Sequence, residues 1–170
     1  MDSGGCKLAT CILHLSPMIG VISDTHGLLR PEAIEHLQDC DLIIHGGDVN
    51  SQEILDQLAE IAPVKVVRGN VDRGPFGASL PHSEVVEYQG HSIYVIHDIG
   101  DLQIDPKAAG FRMVIYGHSH IPKIEHRNGV IFFNPGSAGR RRFTLPITAG
   151  KIRVIDGDLV PQYSSLLTEG

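Results

Sequence analysis

Five short groups of oxygen- and nitrogen-bearing side chains stand at the ends of apolar runs in this chain. They are Asp24-Thr25-His26, Gly47-Asp48, Gly69-Asn70, His97 and Gly117-His118-Ser119-His120. Asp, Asn and His without thiolates suit Mn²⁺, Fe, Zn²⁺, Co²⁺ or Ni²⁺ rather than a cysteine-zinc structural site. A pair of such ions can clamp a phosphoryl group and lower the pKa of bound water, so that a nucleophile exists near neutral pH. The runs before them, Ile19–Ser23, Leu42–His45, Val64–Val67, Ile93–Ile96 and Met113–Tyr116, read as strands buried on both faces. Ligand sites in open α/β sheets form outside the carboxyl ends of such strands, so five groups in series converge on one crevice.

Singly, each group also has an ordinary explanation. Asp24 before a glycine-containing turn fits an Asx-turn or a helix cap. Asp48 could cap the segment near Ser51, and Gly47 permits a tight turn. Asn70 after glycine is common turn chemistry, and a lone His97 at a strand end can be a hydrogen-bonded histidine. His118 and His120 are stronger, because alternate residues of extended backbone share a side, although a surface pair has the same spacing. His45, just before Gly46-Gly47-Asp48, reads either as a partner that orients a ligand or as a buried histidine. His14, His36, His82, His91 and His126 have no motif around them and read as surface residues.

The elements that must position these groups follow from the pattern. Pro31 opens a helix through about Leu37, with Ala33, Ile34 and Leu37 on one stripe. Ser51 caps a second helix bearing Ile54, Leu55, Leu58 and Ile61. With the strands between them, the first half reads β-α-β-α-β, the signature of parallel pairing. The second half turns to hairpins: Glu84–Tyr88 with His91–Ile96, Lys123–Arg127 with Val130–Phe133 around Asn128-Gly129, and Lys151–Ile155 with Leu159–Tyr163. A short helix is expected near Pro106–Ala109. The fold class is α/β, one domain with two stacked mixed β-sheets and helices outside.

The ordered set S-D-T-H, G-G-D-V, G-N-V-D, I-H-D and G-H-S-H, followed by N-P-G-S, resembles the calcineurin-like metallophosphoesterase superfamily. That superfamily's pattern is D-x-H, G-D, G-N-H-[DE], H and G-H-x-H. The resemblance runs from Met18 to about Asn134 and on into N-P-G-S. Small size narrows it to compact bacterial and archaeal phosphodiesterases related to the scaffold subunit of retromer. It implies a four-layer αββα fold and two divalent metal ions, Mn²⁺ first among the candidates. Asp24, His26 and His120 would hold one ion, Asn70, His97 and His118 the other, and Asp48 would bridge them. A hydroxide shared by the ions would attack phosphorus, with Asp48, Asn70 and His97 as the catalytic group and Asn70 also touching substrate.

Two positions depart from the superfamily's pattern. Val71 stands where many members have His, and valine can neither donate a proton nor neutralise developing charge. The departing group should therefore be a good one, or its proton must come from water or another side chain. His97-Asp98 replaces the usual His-Gly and adds a carboxylate beside a ligand, or simply a solvated loop acid. Downstream, Asn134-Pro135-Gly136-Ser137 leads into Arg140-Arg141-Arg142, where backbone N–H groups and Arg140 could bind substrate phosphate; a basic surface loop is the alternative.

Composition sets the outer limits. The 170 residues suffice for one domain, here expected as residues 18–170 with residues 1–17 as an upstream extension. A formal charge of −6 argues against long nucleic acid, and the absence of Trp argues against stacking platforms for single strands. A small phosphoester remains the expected partner, since local metal charge can outweigh net charge. Homo-oligomerisation is compatible with the sequence. No run approaches the roughly 20 apolar residues of a membrane span. Met1–Pro17 lacks the plan of a signal peptide, and Cys6, Cys11 and Cys40 read as plain thiols of a reducing compartment, so a cytoplasmic location is expected. The second class of function is a protein-binding scaffold of the same fold, and a third is a metal-binding regulator without turnover.

Overall fold

The structure is a computed structural model that describes residues 16–167. Cys6, Cys11, His14 and nearly all of the expected extension lie outside the described residues. Strands are β1 (Met18–Ile22), β2 (Leu42–His45), β3 (Val64–Val66), β4 (Ser83–Tyr88), β5 (His91–Ile96), β6 (Met113–Ile115), β7 (Lys123–Arg127), β8 (Val130–Asn134), β9 (Thr148–Ile155) and β10 (Asp158–Ser165). Helices are α1 (Pro31–Leu37), α2 (Gln52–Ala59) and α3 (Gly74–Ser79). Among the described residues, no helix is long and apolar enough to cross a membrane.

Two five-stranded sheets stack face to face, with orders β10-β9-β1-β2-β3 and β4-β5-β6-β8-β7. In the first, β1, β2 and β3 run parallel, and β9 and β10 close one side antiparallel. In the second, β5, β6 and β8 run parallel between the antiparallel edge strands β4 and β7. The crossovers of the first half and the hairpins of the second thus form one pair of mixed sheets, as expected.

The period of two along each strand divides the core into layers. Ile19, Val21 and Ile44 point between the sheets and meet Ile93, Val95, Met113, Ile115 and Phe133. Met18, Ile22 and Ile43 point the other way, onto Leu37 of α1 and Ile54, Leu55 and Leu58 of α2. Gly20 lies on this outer face, where an added Cβ would collide with Leu37 and Cys40, so α1 packs directly on bare β1 backbone. Ser51 occupies the position before α2, but its side chain makes no capping bond, and the packed face of α2 holds the helix.

The outer face of the second sheet has a thinner cover. Tyr94, Val114 and Phe132 are roofed by Ile99 and Leu102 around a 3-10 turn (Ile99–Asp101). The Phe111 ring lies 5.2 Å from that of Tyr94. The helix expected near Pro106–Ala109 is instead a run of turns, opened by Asp105, whose carboxylate accepts the Lys107 and Ala108 amides. Gly110, in the left-handed region at φ 85°, ends the run after a single turn.

Phe133 is fully buried between the sheets, against the bare backbone of Gly150 on β9. Phe133→Ala should cost about 3–5 kcal/mol, read as a lowered denaturation midpoint with an unchanged slope.

Candidate metal centre

The two central strands, β1 and β6, end at the loops that carry Asp24-Thr25-His26 and Gly117-His118-Ser119-His120. Backbone hydrogen bonds continue the β1–β2 pairing past the strand ends: Asp24 N–H donates to the Gly47 carbonyl at 3.0 Å and His26 N–H to the Asp48 carbonyl at 2.9 Å. Within the second sheet, Gly117 N–H donates to the His97 carbonyl at 2.9 Å, and across the sheets His118 N–H donates to Asp24 Oδ2 at 3.1 Å. The loops therefore act as one body rather than five.

Asp24, His26, Asp48, Asn50, His118 and His120 all have positive φ, between 46° and 68°. Such backbone is uncommon outside glycine and tends to collect at functional sites, where surrounding structure holds it. It also corrects the reason given for pairing His118 with His120. They are not extended residues sharing a side; they are left-handed residues whose rings turn to different partners. Gly47 shows a related constraint: an added Cβ would lie 2.6 Å from His97 Nδ1.

Two groups of side chains result. Asp24, His26 and His120 form one, and Asp48, His97 and His118 the other. In the first, His26 Nε2 and His120 Nε2 face each other at 3.1 Å, and Asp24 Oδ1 stands 3.3 Å from His120 Nε2. In the second, Asn70 Oδ1 lies 3.1 Å from both His97 Nε2 and His118 Nδ1. Asp48 Oδ2 belongs to both, 3.2 Å from His97 Nε2 and 3.7 Å from His26 Nε2. All seven residues singled out in the sequence thus meet in one place.

The donor set fits divalent cations. Asp24 is fully buried, with Oδ2 accepting from Ser23 Oγ at 2.6 Å and from His118 N–H. Its other oxygen, Oδ1, has no hydrogen-bond partner and faces the two imidazoles. A buried carboxylate oxygen left bare is costly, and a cation at that point removes the cost.

Protonation follows the same charges. Burial alone would lower the pKa of His97, but the Asp48 hydrogen bond and the Asp24 and Asp48 charges outweigh it and push it up to about 9. His97 Nδ1–H donates to the Gly46 carbonyl at 2.7 Å, which leaves Nε2 toward Asp48 and Asn70. Burial holds His26 below its ordinary value despite the Asp24 and Asp48 charges.

Buried groups behind the ligands hold their loops. His45 is fully buried, and burial lowers its pKa to about 4, so it is neutral. Its Nδ1 accepts Gly47 N–H at 3.2 Å, so Nε2 carries the proton toward Thr25 Oγ1 at 3.0 Å. This settles the two readings of His45: it is a buried histidine that braces the ligand loops from behind. Asp72 does the same between β2 and β3, accepting Asn50 N–H at 2.7 Å and Gly69 N–H at 2.8 Å. That role was not legible, because one of its partners, the Asn50 amide, lies 22 residues away on a different loop.

The Asn134-Pro135-Gly136-Ser137 segment is also a brace. Asn134 Nδ2 donates to the Gly117 carbonyl, and Ser137 Oγ to the Asp24 carbonyl. Gly136 N–H and Ala138 N–H are taken by Asn134 Oδ1 and the Ser23 carbonyl, so they do not present a cradle to an anion. Arg140 is exposed beyond this brace. The arginine whose charge is felt at the centre is Arg142, which helps to lower His26.

A cleft of about 650 Å³ opens beside the second group, lined by Arg68, Asn70, His82, Tyr94, Asp98 and His118 among others. Arg140 is not among its lining residues, whereas Arg68 and His82 are. His36, expected at the surface, is half-buried, with Nε2 sealed from solvent, and burial and then Lys151 lower its pKa.

Comparison with known proteins agrees with this geometry. A probable metallophosphoesterase of Methanocaldococcus jannaschii is 40% identical over 139 residues, covering 74% of this chain and 70% of that one. A solved archaeal phosphodiesterase matches with a TM-score of 0.72 at 24% identity, over 86% of this chain and 99% of that one. Vacuolar protein sorting 29 of Cryptosporidium parvum matches with a TM-score of 0.69 at 21% identity, over 88% and 97%. These two structures establish the shared fold. The model of the calcineurin-like phosphoesterase superfamily domain matches residues 18–156. The chain therefore belongs to the calcineurin-like phosphoesterase superfamily, as a metal-dependent phosphoesterase.

Proposed function

We propose that this protein hydrolyses phosphodiesters at a pair of divalent cations, Mn²⁺ foremost. The observation that carries the reading is Asp48 Oδ2, which faces an imidazole of each group, with the bare Asp24 Oδ1 behind it. Asp24, His26 and His120 would hold one ion, Asn70, His97 and His118 the other, with Asp48 between them. Bound there, the ions would supply Lewis acidity toward the phosphoryl oxygens and lower the pKa of water. Asn70 is exposed at the cleft mouth, where its amide can both ligate and touch substrate.

Two features favour a diester over a monoester. The cleft beside Asn70 and His118 offers space for an ester arm. Asp98 at its edge disfavours the second negative charge of a monoester. Val71 supplies no proton to the leaving group, which favours esters of acidic alcohols. The same reading takes the substrate as a small phosphoester and the compartment as the cytoplasm. Cys40, a buried thiol raised by burial to about 12, suits reducing surroundings.

The test is to strip the protein with chelator and assay an aryl diester and an aryl monoester with each cation added back. Mn²⁺ should restore turnover, with the diester preferred. No restoration by any cation would leave the scaffold reading, which the fold of vacuolar protein sorting 29 equally permits.

Asp48→Asn should reduce kcat by several orders of magnitude with little loss of fold, because it weakens both cation positions at once. Near-normal activity at saturating metal would exclude bridging by Asp48.

Val71→His should raise kcat/KM more for an alkyl ester than for an aryl ester. A positioned general acid contributes about 10²–10⁴-fold, and a gain at the lower end is expected because the pocket was not shaped for a ring. The Val71 N–H bond to Asp48 Oδ1, at 3.0 Å, does not depend on the side chain. An equal change for both esters would show that leaving-group protonation is not what Val71 withholds.

Cation uptake should depend on pH through His97, whose folded pKa of about 9 lies above the ordinary value of 6.5. Below about pH 9 its proton must leave before Nε2 can ligate, so affinity should rise with pH up to that point. Calorimetry in buffers of different ionisation enthalpy should record proton release at pH 7 and less at pH 10.

A further inference from the structure

The four histidines of the centre are not equally held. His97 has its far nitrogen fixed by the Gly46 carbonyl at 2.7 Å. His120 is buried, and its Nδ1 has no partner. His118 is the most exposed of the four, with 45% of its side chain open to solvent, against 26% for His26 and 5% or less for His97 and His120. A half-open imidazole on left-handed backbone has freedom to lose on binding, and either ring nitrogen can carry its proton.

Three contacts oppose that freedom. The His118 ring stands edge-on to His97 at 5.2 Å between centroids. On its far side, His118 Nε2 lies 3.5 Å from Asp98 Oδ2, while Nδ1 faces Asn70 Oδ1 at 3.1 Å. The Asp98 carboxylate is itself anchored, since Oδ1 accepts Gly100 N–H at 2.8 Å and so starts the 3-10 turn. One oxygen thus fixes the loop while the other faces the imidazole.

We propose that Asp98 is a positioning residue for His118. Its carboxylate draws the imidazole proton to Nε2, so that Nδ1 keeps its lone pair for the cation position shared with Asp48, Asn70 and His97. The inference rests on the two-cation reading above. Carboxylates that orient ligating histidines set both tautomer and ring angle, and their loss typically costs about 10–100-fold in metal affinity. The pair is too exposed to contribute much to folding, Asp98 being 39% and His118 45% open, so its effect falls on binding rather than stability. Asp98 therefore does more than add negative charge beside the substrate.

Asp98→Asn separates the two duties of the residue, because an amide oxygen can still accept Gly100 N–H but carries no charge. The wild-type protein, titrated with Mn²⁺ by calorimetry, should take up two ions. Asp98→Asn should keep one site unchanged and lose about tenfold or more at the other, at an unchanged thermal midpoint. In metal-free protein with neutral imidazoles, nitrogen-15 correlation spectra should place the His118 proton on Nε2, and Asp98→Asn should erode that preference. If Asp98→Asn binds both ions as tightly as wild type and leaves the tautomer unchanged, Asp98 only caps its turn and the inference is overturned. If the wild-type protein binds no ion, the two-cation reading falls and takes this inference with it.

Discussion

A fully buried aspartate with one oxygen satisfied and the other bare is the constraint on which this structure turns. Asp24 Oδ2 accepts two hydrogen bonds, while Oδ1 looks toward His26 and His120 without a partner. A protein stabilised only by its own contacts would not seal a carboxylate in this way. The two imidazole nitrogens that face each other at 3.1 Å can share one N–H···N hydrogen bond, with one ring donating and the other accepting. A cation at each group would take these oxygens and nitrogens as ligands, and such ions would supply the Lewis acidity proposed for phosphoryl transfer.

The fold exists around that constraint. His26 and His120 lie on different sheets and 94 residues apart. Their approach needs the central strands β1 and β6 stacked face to face across a dry layer of Ile19, Val21, Met113 and Ile115. Side chains in such a layer sit in close-packed positions, so the loops above inherit fixed distances. The left-handed backbone at six residues of the centre costs free energy. Neutral His45, Asp72, Asn134 and Ser137 offset it by tying those loops to one another through buried hydrogen bonds.

Much of this was legible because it is periodic or ordered along the chain. Strands β1, β2, β5 and β6 announce themselves as apolar runs, and six of the seven ligand-type residues follow them, with Asn70 after the edge strand β3. What escaped reading depends on long-range placement. The α3 helix begins Gly74-Pro75, which looks like a turn until Phe76 finds the core beside α2. Asp72 gives no local sign that its carboxylate spans to Asn50. His118 and His120 were paired by an extended backbone they do not have. The basic loop drew attention to Arg140, yet the arginine in the cleft is Arg68, which stands just before Gly69-Asn70 and carries no signal of its own. His36 sits on an amphipathic helix, and the strand neighbour Lys151 that helps to lower its pKa cannot be read from helical spacing.

The central claim is that Asp48 lies between two cations. Anomalous diffraction from crystals grown with Mn²⁺ tests it most directly. The account predicts two peaks about 3.5–4 Å apart, one within ligating distance of Asp24, His26 and His120 and the other of Asn70, His97 and His118, with Asp48 reaching both. A single peak, with Asp48 turned away from it, would contradict the account.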